Sequence, residues 1–197
     1  MNEQTQTTRE RILNAAIQVF SDRGYHDTRM DDIVEAANSS KGSIYFHFTS
    51  KKEIFFGLID HFSTLLETQV SEILDADEHG VDQLGKINSA VFSLFNRYRG
   101  LAKIVLIQAV GLGEEFEIRR RKLNDRFCAI IEKRLDRSIS EGHLQPMNTA
   151  VVARLWVGAM NEIVIHWIYT PNFQLEDNLP EINRFFRNSI GHKENHP

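Results

Sequence analysis

The chain has 197 residues, 42% of them hydrophobic and 25% charged, the length and composition of one globular domain or of two small ones sharing a helix. Its one cysteine, Cys128, excludes an internal disulfide framework and a Cys-rich zinc site; no continuous apolar run reaches the ~18 residues of a membrane span, and the polar start MNEQTQTTRERI lacks a signal-peptide core, so the cytoplasm is the expected location. The formal net charge of -4 argues against nucleic-acid binding unless a local basic surface overrides it.

The hydrophobic period is helical throughout, and the expected fold is all-α. In the first segment Ile12, Leu13, Ala16, Ile17 and Phe20 share one helical face. Thr7 and Glu10 have capping-box spacing ahead of it, and Gly24 supplies a left-handed stop. Thr28-Arg29-Met30-Asp31 signals a second, short helix ending near Ala37, apolar along Met30, Ile33, Val34 and Ala37. Asn38-Ser39-Ser40 reads as a turn with Asn38 at φ > 0, because Asn tolerates that conformation. A third short helix is expected over about 41–48. Ser50 and Glu53 have capping-box spacing and open a long amphipathic helix reaching about residue 74. Residues 75–80 break the pattern; three acids and His79 fall short of a calcium loop, which needs more ligands at fixed spacing, and a solvated turn is the favoured reading. Five more helices are expected near 81–98, 101–110, 114–141, 148–170 and 179–190, punctuated by Gly100, Gly111, Gly113, Gly142, Pro146 and Pro171. His192 and His196 stand four apart in a polar tail and are too few for a metal site. No metal or other cofactor is expected.

Helix, three-residue turn, helix over residues 28–48 is the helix-turn-helix arrangement, whose second helix enters the major groove of DNA. From Ala36 to Lys52 there is no acidic residue, whereas Lys41, Lys51 and Lys52 are basic. Hydroxyls of Ser39, Ser40, Ser43, Tyr45 and Thr49 lie among them, and hydroxyls and helix N-terminal N–H groups are frequent phosphate ligands. Gly42 permits close approach to DNA. Asp31, Asp32 and Glu35 precede the turn, where they are expected to cap the second helix. Spacing and charge alone leave open a three-helix domain whose exposed turn happens to be basic.

Four landmarks go further: A-x-x-x-F-x-x-x-G-Y at Ala16–Tyr25, D-D-I-x-E-A-A at Asp31–Ala37, S-K-G-S-I-Y-F-H-F at Ser40–Phe48, and S-K-K-E-I at Ser50–Ile54. With them, residues 9–60 resemble the DNA-binding domain of TetR-family transcriptional regulators. The resemblance implies a helix-turn-helix DNA-binding domain over 1–50 and a helical effector-binding and dimerisation domain over 51–197. It implies that Ser40, Lys41 and Tyr45 contact phosphates or base edges, that His47 approaches a phosphate or packs, and that Thr28 and Lys51 touch the DNA backbone. Ser39 and Gly42 belong to the same surface. Ser43 and Phe46 are the candidates for base edges, since a hydroxyl serves several bases and a ring can meet a thymine methyl. Ile44 and Phe48 read as core. The family usually has Gly and an aliphatic residue where this chain has Asn38 and Ser39, so the turn is expected to be somewhat weakened.

Beyond residue 75 there is no H-E-x-x-H, no G-x-S-x-G and no Gly-rich phosphate loop. Cys128 lies among Phe127, Ala129, Ile130 and Ile131 as an inert thiol, and the chain is not expected to be an enzyme. Segment 148–170 is apolar nearly all round and must be covered on two sides. Segment 179–190, with Leu179, Ile182, Phe185, Phe186 and Ile190, is its natural neighbour. The resemblance implies that both pair with their copies in a homodimer, and Trp156, Met160, Val164 and Phe186 are the expected contact residues. An effector pocket, mostly apolar as ligand sites are, is expected among Phe62, Leu66, Phe92, Phe95, Tyr98, Val105, Gln108, Phe127 and Asn161. The runs EEFEIRRRKLNDR, EGHL and GAMNEIVIHW loosely resemble the sensor half of acyl-CoA-responsive fatty-acid-degradation repressors within that family. Arg119, Arg120 and Arg121 are then candidates for CoA phosphates, against a solvated face paired with Glu115 and Glu117. The resulting expectation is a repressor that holds a palindromic double-stranded operator as a homodimer and is released by a small apolar or amphipathic effector, a long-chain acyl-CoA in one reading, with no membrane partner. A multidrug-sensing repressor of an efflux pump is the alternative within the class. A helical enzyme or binding protein with a non-functional helix-turn-helix is the alternative outside it.

Overall fold

The computed structural model describes residues 7–74 and 81–191. The acid-rich stretch 75–80 and the pair His192 and His196 lie outside the described residues. Within them the chain is all-α: α1 Thr8–Arg23, α2 Met30–Ala36, α3 Lys41–His47, α4 Lys51–Leu74, α5 Val81–Arg97, α6 Arg99–Lys103 running into a π-helical turn at Ile104–Gln108, α7 Glu114–Ser140, α8 Thr149–Tyr169 and α9 Leu175–Ser189.

The caps explain most of the boundaries. Thr7 Oγ1 accepts from Glu10 N at 3.2 Å and Glu10 returns a carboxylate to Thr7 N at 2.9 Å, the reciprocal box the spacing predicts. At α2 the cap falls one residue later than expected: Asp32, not Asp31, accepts from Arg29 N at 2.7 Å. At α4, Ser50 Oγ accepts from Glu53 N, and Glu53 reaches Thr49 N at 2.7 Å. Asn38 takes φ 46, as its turn position requires. α9 starts at Leu175, upstream of the expected 179, with Pro180 inside it.

The contacts divide the chain into two compact units, and not at residue 50. The first runs to Ser63 and takes in Arg99–Arg120; the second comprises Thr64–Tyr98 and the chain from Arg121 on. In the first unit Ile12, Leu13 and Phe20 of α1, Ile33 of α2, Ile44 of α3 and Ile54, Phe55 and Leu58 of α4 are fully buried, each side chain contributing roughly 1.5–3 kcal/mol. A Cβ at Gly57 would come within 3.0 Å of the Phe48 ring, so glycine there lets the residue ending α3 lie directly on α4. The π turn also belongs to this unit: Lys103 Nζ donates to Ser21 O at 2.7 Å and Gln108 Nε2 to Phe20 O at 2.8 Å. These donors cap carbonyls in the last turns of α1, and the Lys103 cation suits that end of a helix.

In the second unit Trp156 of α8 stacks on Phe186 of α9 with centroids 4.1 Å apart. Its Nε1 donates to Asn88 Oδ1 at 3.0 Å, and Asn88 Nδ2 donates to Asn183 Oδ1 at 2.8 Å. That chain of amides ties α5, α8 and α9 with each buried polar group paired. By length and composition α8 is apolar enough to cross a bilayer, which the count of continuous apolar residues did not anticipate. Its Ala153, Trp156, Val157, Met160, Val164 and Trp167 are buried in the unit, and exposed Arg154 pairs with Asp125 at 3.0 Å.

Candidate nucleic-acid interface

α3 has a buried side and an open side. Ile44 and Phe48 are buried at 0% and 4% exposure, while Tyr45 is 46% and Phe46 85% exposed. Ser40, Lys41 and Gly42 are exposed at its first turn, and Ser39, Ser43 and His47 are half-buried. Ser40 Oγ caps the helix by accepting from Ser43 N at 3.2 Å, which leaves its hydroxyl hydrogen available to donate. A large ring as exposed as Phe46 serves no packing purpose within the subunit; it meets the His47 ring at 5.2 Å. A Cβ at Gly42 would meet nothing within 4 Å. The fold therefore does not itself require glycine there.

The lysines behave differently from a simple count of charge. Lys41 pairs with Asp31 at 2.7 Å, and Lys52 with Glu115 at 2.6 Å. Lys51 turns inward: its ammonium donates to Tyr25 O at 2.6 Å, His26 O at 3.1 Å and Thr28 O at 2.6 Å, and lies 4.5 Å from the Tyr25 ring centroid. Burial pushes the Lys51 ammonium below the ordinary lysine range, with Asp27 and Asp32 opposing. Thr28 and Lys51, the expected DNA-backbone contacts, thus both turn inward. Thr28 is 1% exposed, its hydroxyl donates to Gly24 O at 2.7 Å, and its carbonyl holds Lys51. Both residues fix the loop between α1 and α2, and so position the reading helix without facing outward. In the turn Ser39 N donates to Val34 O at 3.3 Å, and its hydroxyl donates to Ala37 O at 3.4 Å.

Sequence reasoning missed Phe116. It is 5% exposed and its ring meets Tyr25 at 5.3 Å, Phe55 at 5.3 Å and Phe56 at 4.9 Å. Beside it Arg119 holds Asp60 through two bonds of 2.9 and 3.0 Å and lies 4.2 Å over Phe56, while Arg120 holds Glu117. Arg119 and Arg120 therefore brace α7, which removes the simplest reason for assigning them to phosphates. One aromatic in a run of charges was the available signal.

The expected pocket residues are not gathered in one unit. Phe62, Val105 and Gln108 belong to the first; Leu66, Phe92, Phe95, Tyr98, Phe127 and Asn161 belong to the second. Gln108 is engaged on α1, with its Oε1 buried and unpaired, and Asn161 donates to Asn124 at 3.4 Å. The expected dimer residues Trp156, Met160, Val164 and Phe186 are at most 7% exposed, covered by their own subunit. The open apolar residues of these helices are Val151, Leu155 and Tyr169 on α8 and Phe185 on α9.

A short helix with an exposed outer face, set by a tight turn against the helix before it and braced by α1 and α4, defines a helix-turn-helix protein of the all-α class. The family model described as bacterial regulatory proteins, tetR family, matches residues 12–58, which contain that whole arrangement, so this segment of the chain carries the TetR-type helix-turn-helix. Over 157 residues it is 27% identical to the HTH-type transcriptional regulator UidR of Escherichia coli K12, covering 79% of each chain. Its fold matches the fatty acid degradation regulator FadR from Bacillus halodurans with a TM-score of 0.86 at 17% identity, over 97% of this chain and 100% of that one. It also matches the transcriptional regulator FadR from Bacillus subtilis, solved in complex with stearoyl-CoA, with a TM-score of 0.82 at 18% identity, over 93% and 98% of the two chains. At these identities the structural likeness establishes the fold.

Proposed function

We propose that this protein is a ligand-responsive transcriptional repressor that holds a palindromic operator as a homodimer and leaves it when an amphipathic effector binds its second unit. The observation that carries the reading is the outer face of α3, where Phe46 is 85% exposed and Gly42 has no neighbour that would exclude a side chain. Rings and hydroxyls presented this way suit base edges and phosphates in a major groove. Two-fold symmetry would follow from a copy docking on the open side of α8. Val151, Leu155, Gly158, Glu162, Ile165 and Tyr169 recur there at alternating steps of four and three, the period of a helix–helix seam, and Phe185 of α9 adds a further exposed ring. Such a regulator works in the cytoplasm, where its DNA is.

For the effector, the likeness in fold to a regulator solved with stearoyl-CoA favours a long-chain acyl thioester over a cationic drug. The test is a gel shift on the DNA flanking the protein's own gene, followed by release with acyl-CoAs, free fatty acids and cationic dyes. A retarded band that acyl-CoAs dissolve in order of chain length supports the reading, since each buried CH₂ is worth ~0.8 kcal/mol, or roughly fourfold in affinity, until the site is full. Release by dyes alone replaces it with the multidrug reading, and no retarded band refutes DNA binding.

A further inference from the structure

The cation at the start of the reading helix is not free. Lys41 Nζ sits 2.7 Å from Asp31 Oδ1, and the two side chains are 65% and 66% exposed. Asp31 lies in the first turn of α2 and Lys41 in the first turn of α3. In a helix-turn-helix the first helix crosses the DNA backbone and the second enters the major groove by its N-terminal residues, so both turns lie against the duplex. The expected role of Asp31 as a cap is filled by Asp32, which accepts from Arg29 N and also pairs with Arg23 at 2.8 Å. Asp31 therefore has no capping duty in the fold, and its carboxylate holds the Lys41 ammonium where a phosphate oxygen would. The partnership raises the Lys41 ammonium further above its ordinary range, chiefly through the hydrogen bond.

We propose that Asp31 is an internal competitor for DNA phosphate. Resting on the operator-binding reading above, this makes DNA binding an exchange. Lys41 leaves one anion for another, and the released carboxylate remains beside the DNA backbone. Two consequences follow for duplexes of any sequence. Affinity is lower than the lysine count suggests, because the Lys41–phosphate contact replaces an existing contact and leaves two anions close together. The salt dependence is also shallower, because a freed carboxylate near the duplex takes back part of the counterion released by the phosphate. The competitor is of the right strength for this: an exposed pair is worth little, so a phosphate can displace it, yet it is always present.

The experiment is a double-mutant cycle of Asp31→Asn and Lys41→Ala, with binding of a random-sequence duplex and of the promoter fragment measured over a salt series. Asp31→Asn alone is expected to tighten binding to both DNAs by up to about fivefold at low salt, the scale of one exposed charge pair, and to steepen the salt slope by up to ~0.9, the contribution of one phosphate. In the Lys41→Ala background the same change is expected to have a smaller effect, the part that remains being repulsion between the carboxylate and the duplex. Asp31→Ser, which also suits a first helical turn, repeats the measurement if Asn perturbs α2, with thermal melting as the check on folding. No tightening by either variant while the wild-type chain binds DNA overturns the exchange alone. Tightening that persists in full without Lys41 also overturns it, leaving simple repulsion between Asp31 and the duplex. Absence of DNA binding by the wild-type chain and every variant overturns the exchange together with the operator reading.

Discussion

Lys51→Met separates a positioning lysine from a DNA-contacting one. In the folded protein the ammonium gathers the carbonyls of Tyr25, His26 and Thr28 at 2.6, 3.1 and 2.6 Å. A hydrogen bond from a charged donor is worth about 1.5–3 kcal/mol net. The His26 bond lies at the open surface and counts for less, and fixing a lysine side chain costs up to ~2 kcal/mol in rotamer freedom. Methionine keeps the apolar stem but leaves the three carbonyls without the cation, so a loss of about 2–3 kcal/mol is expected. Lys51→Arg should recover little of it, because a planar fork does not converge on three acceptors as an ammonium does. The assay is urea unfolding of wild type and both variants, paired with DNA binding over a salt series at a temperature where all are folded. Stability should fall while the salt slope stays unchanged. Unchanged stability with a slope reduced by ~0.9 would show that Lys51 contacts phosphate, and would refute the reasoning.

Gly42→Ala should raise stability by about 0.5–1 kcal/mol, because alanine is the better helix former and the added methyl meets no neighbour, and it should weaken operator binding; equal operator affinity in a gel shift would mean DNA does not approach that backbone. Leu155→Glu should leave the subunit folded and shift sedimentation towards monomer, whereas Met160→Ala should lower stability by about 2–5 kcal/mol as a core truncation; the reverse pattern would put the dimer on the other face of α8. The carboxylates of Glu10, Asp32 and Glu53 are held below their ordinary range, first of all by the backbone N–H groups of Thr7, Arg29 and Thr49. Their folded values lie below their unfolded ones, so the unfolded chain takes up protons first. Their contribution is fully present above the usual carboxylate range of about 4 and is lost as pH falls through the folded values. Melting temperature should therefore drop below about pH 4, and Asp32→Asn should flatten part of that drop.

The DNA-binding half was readable because its signals are local. A capping box at Thr7 and Glu10, an Asn at a turn that needs φ > 0, and an apolar face through Ile12, Ala16 and Phe20 each depend on neighbours a few residues away. Its errors came from long-range chemistry. Lys51 looks like a surface cation until the fold brings three carbonyls to it from residues 25–28. Thr28 looks like a cap until its hydroxyl turns back to Gly24. A charge count over residues 36–52 could not see that Asp31 and Glu115 return two carboxylates to the same surface.

The second half fails for a different reason. Periodicity identifies a face when the opposite face is polar, and α8 has apolar residues on both. Trp156, Met160 and Val164 are large and regularly spaced, which suits a partner's surface, but those same properties make them the best core. Inside the subunit Trp156 gains a stacking partner in Phe186 at 4.1 Å and an acceptor in Asn88 at 3.0 Å. An indole N–H needs such an acceptor when it is buried, and Asn88 is 68 residues away in sequence. Once the core has taken that face, Val151 at 51%, Leu155 at 68% and Tyr169 at 64% exposure are left open for another surface. A single Glu162 between them would cost little at the rim of the proposed interface and a great deal at its dry centre, so in the proposed dimer copies would align only where that carboxylate reaches water or a cation. Glu162→Leu should accordingly strengthen self-association in sedimentation while loosening alignment. A weaker dimer would instead make Glu162 part of a paired contact across the two-fold axis.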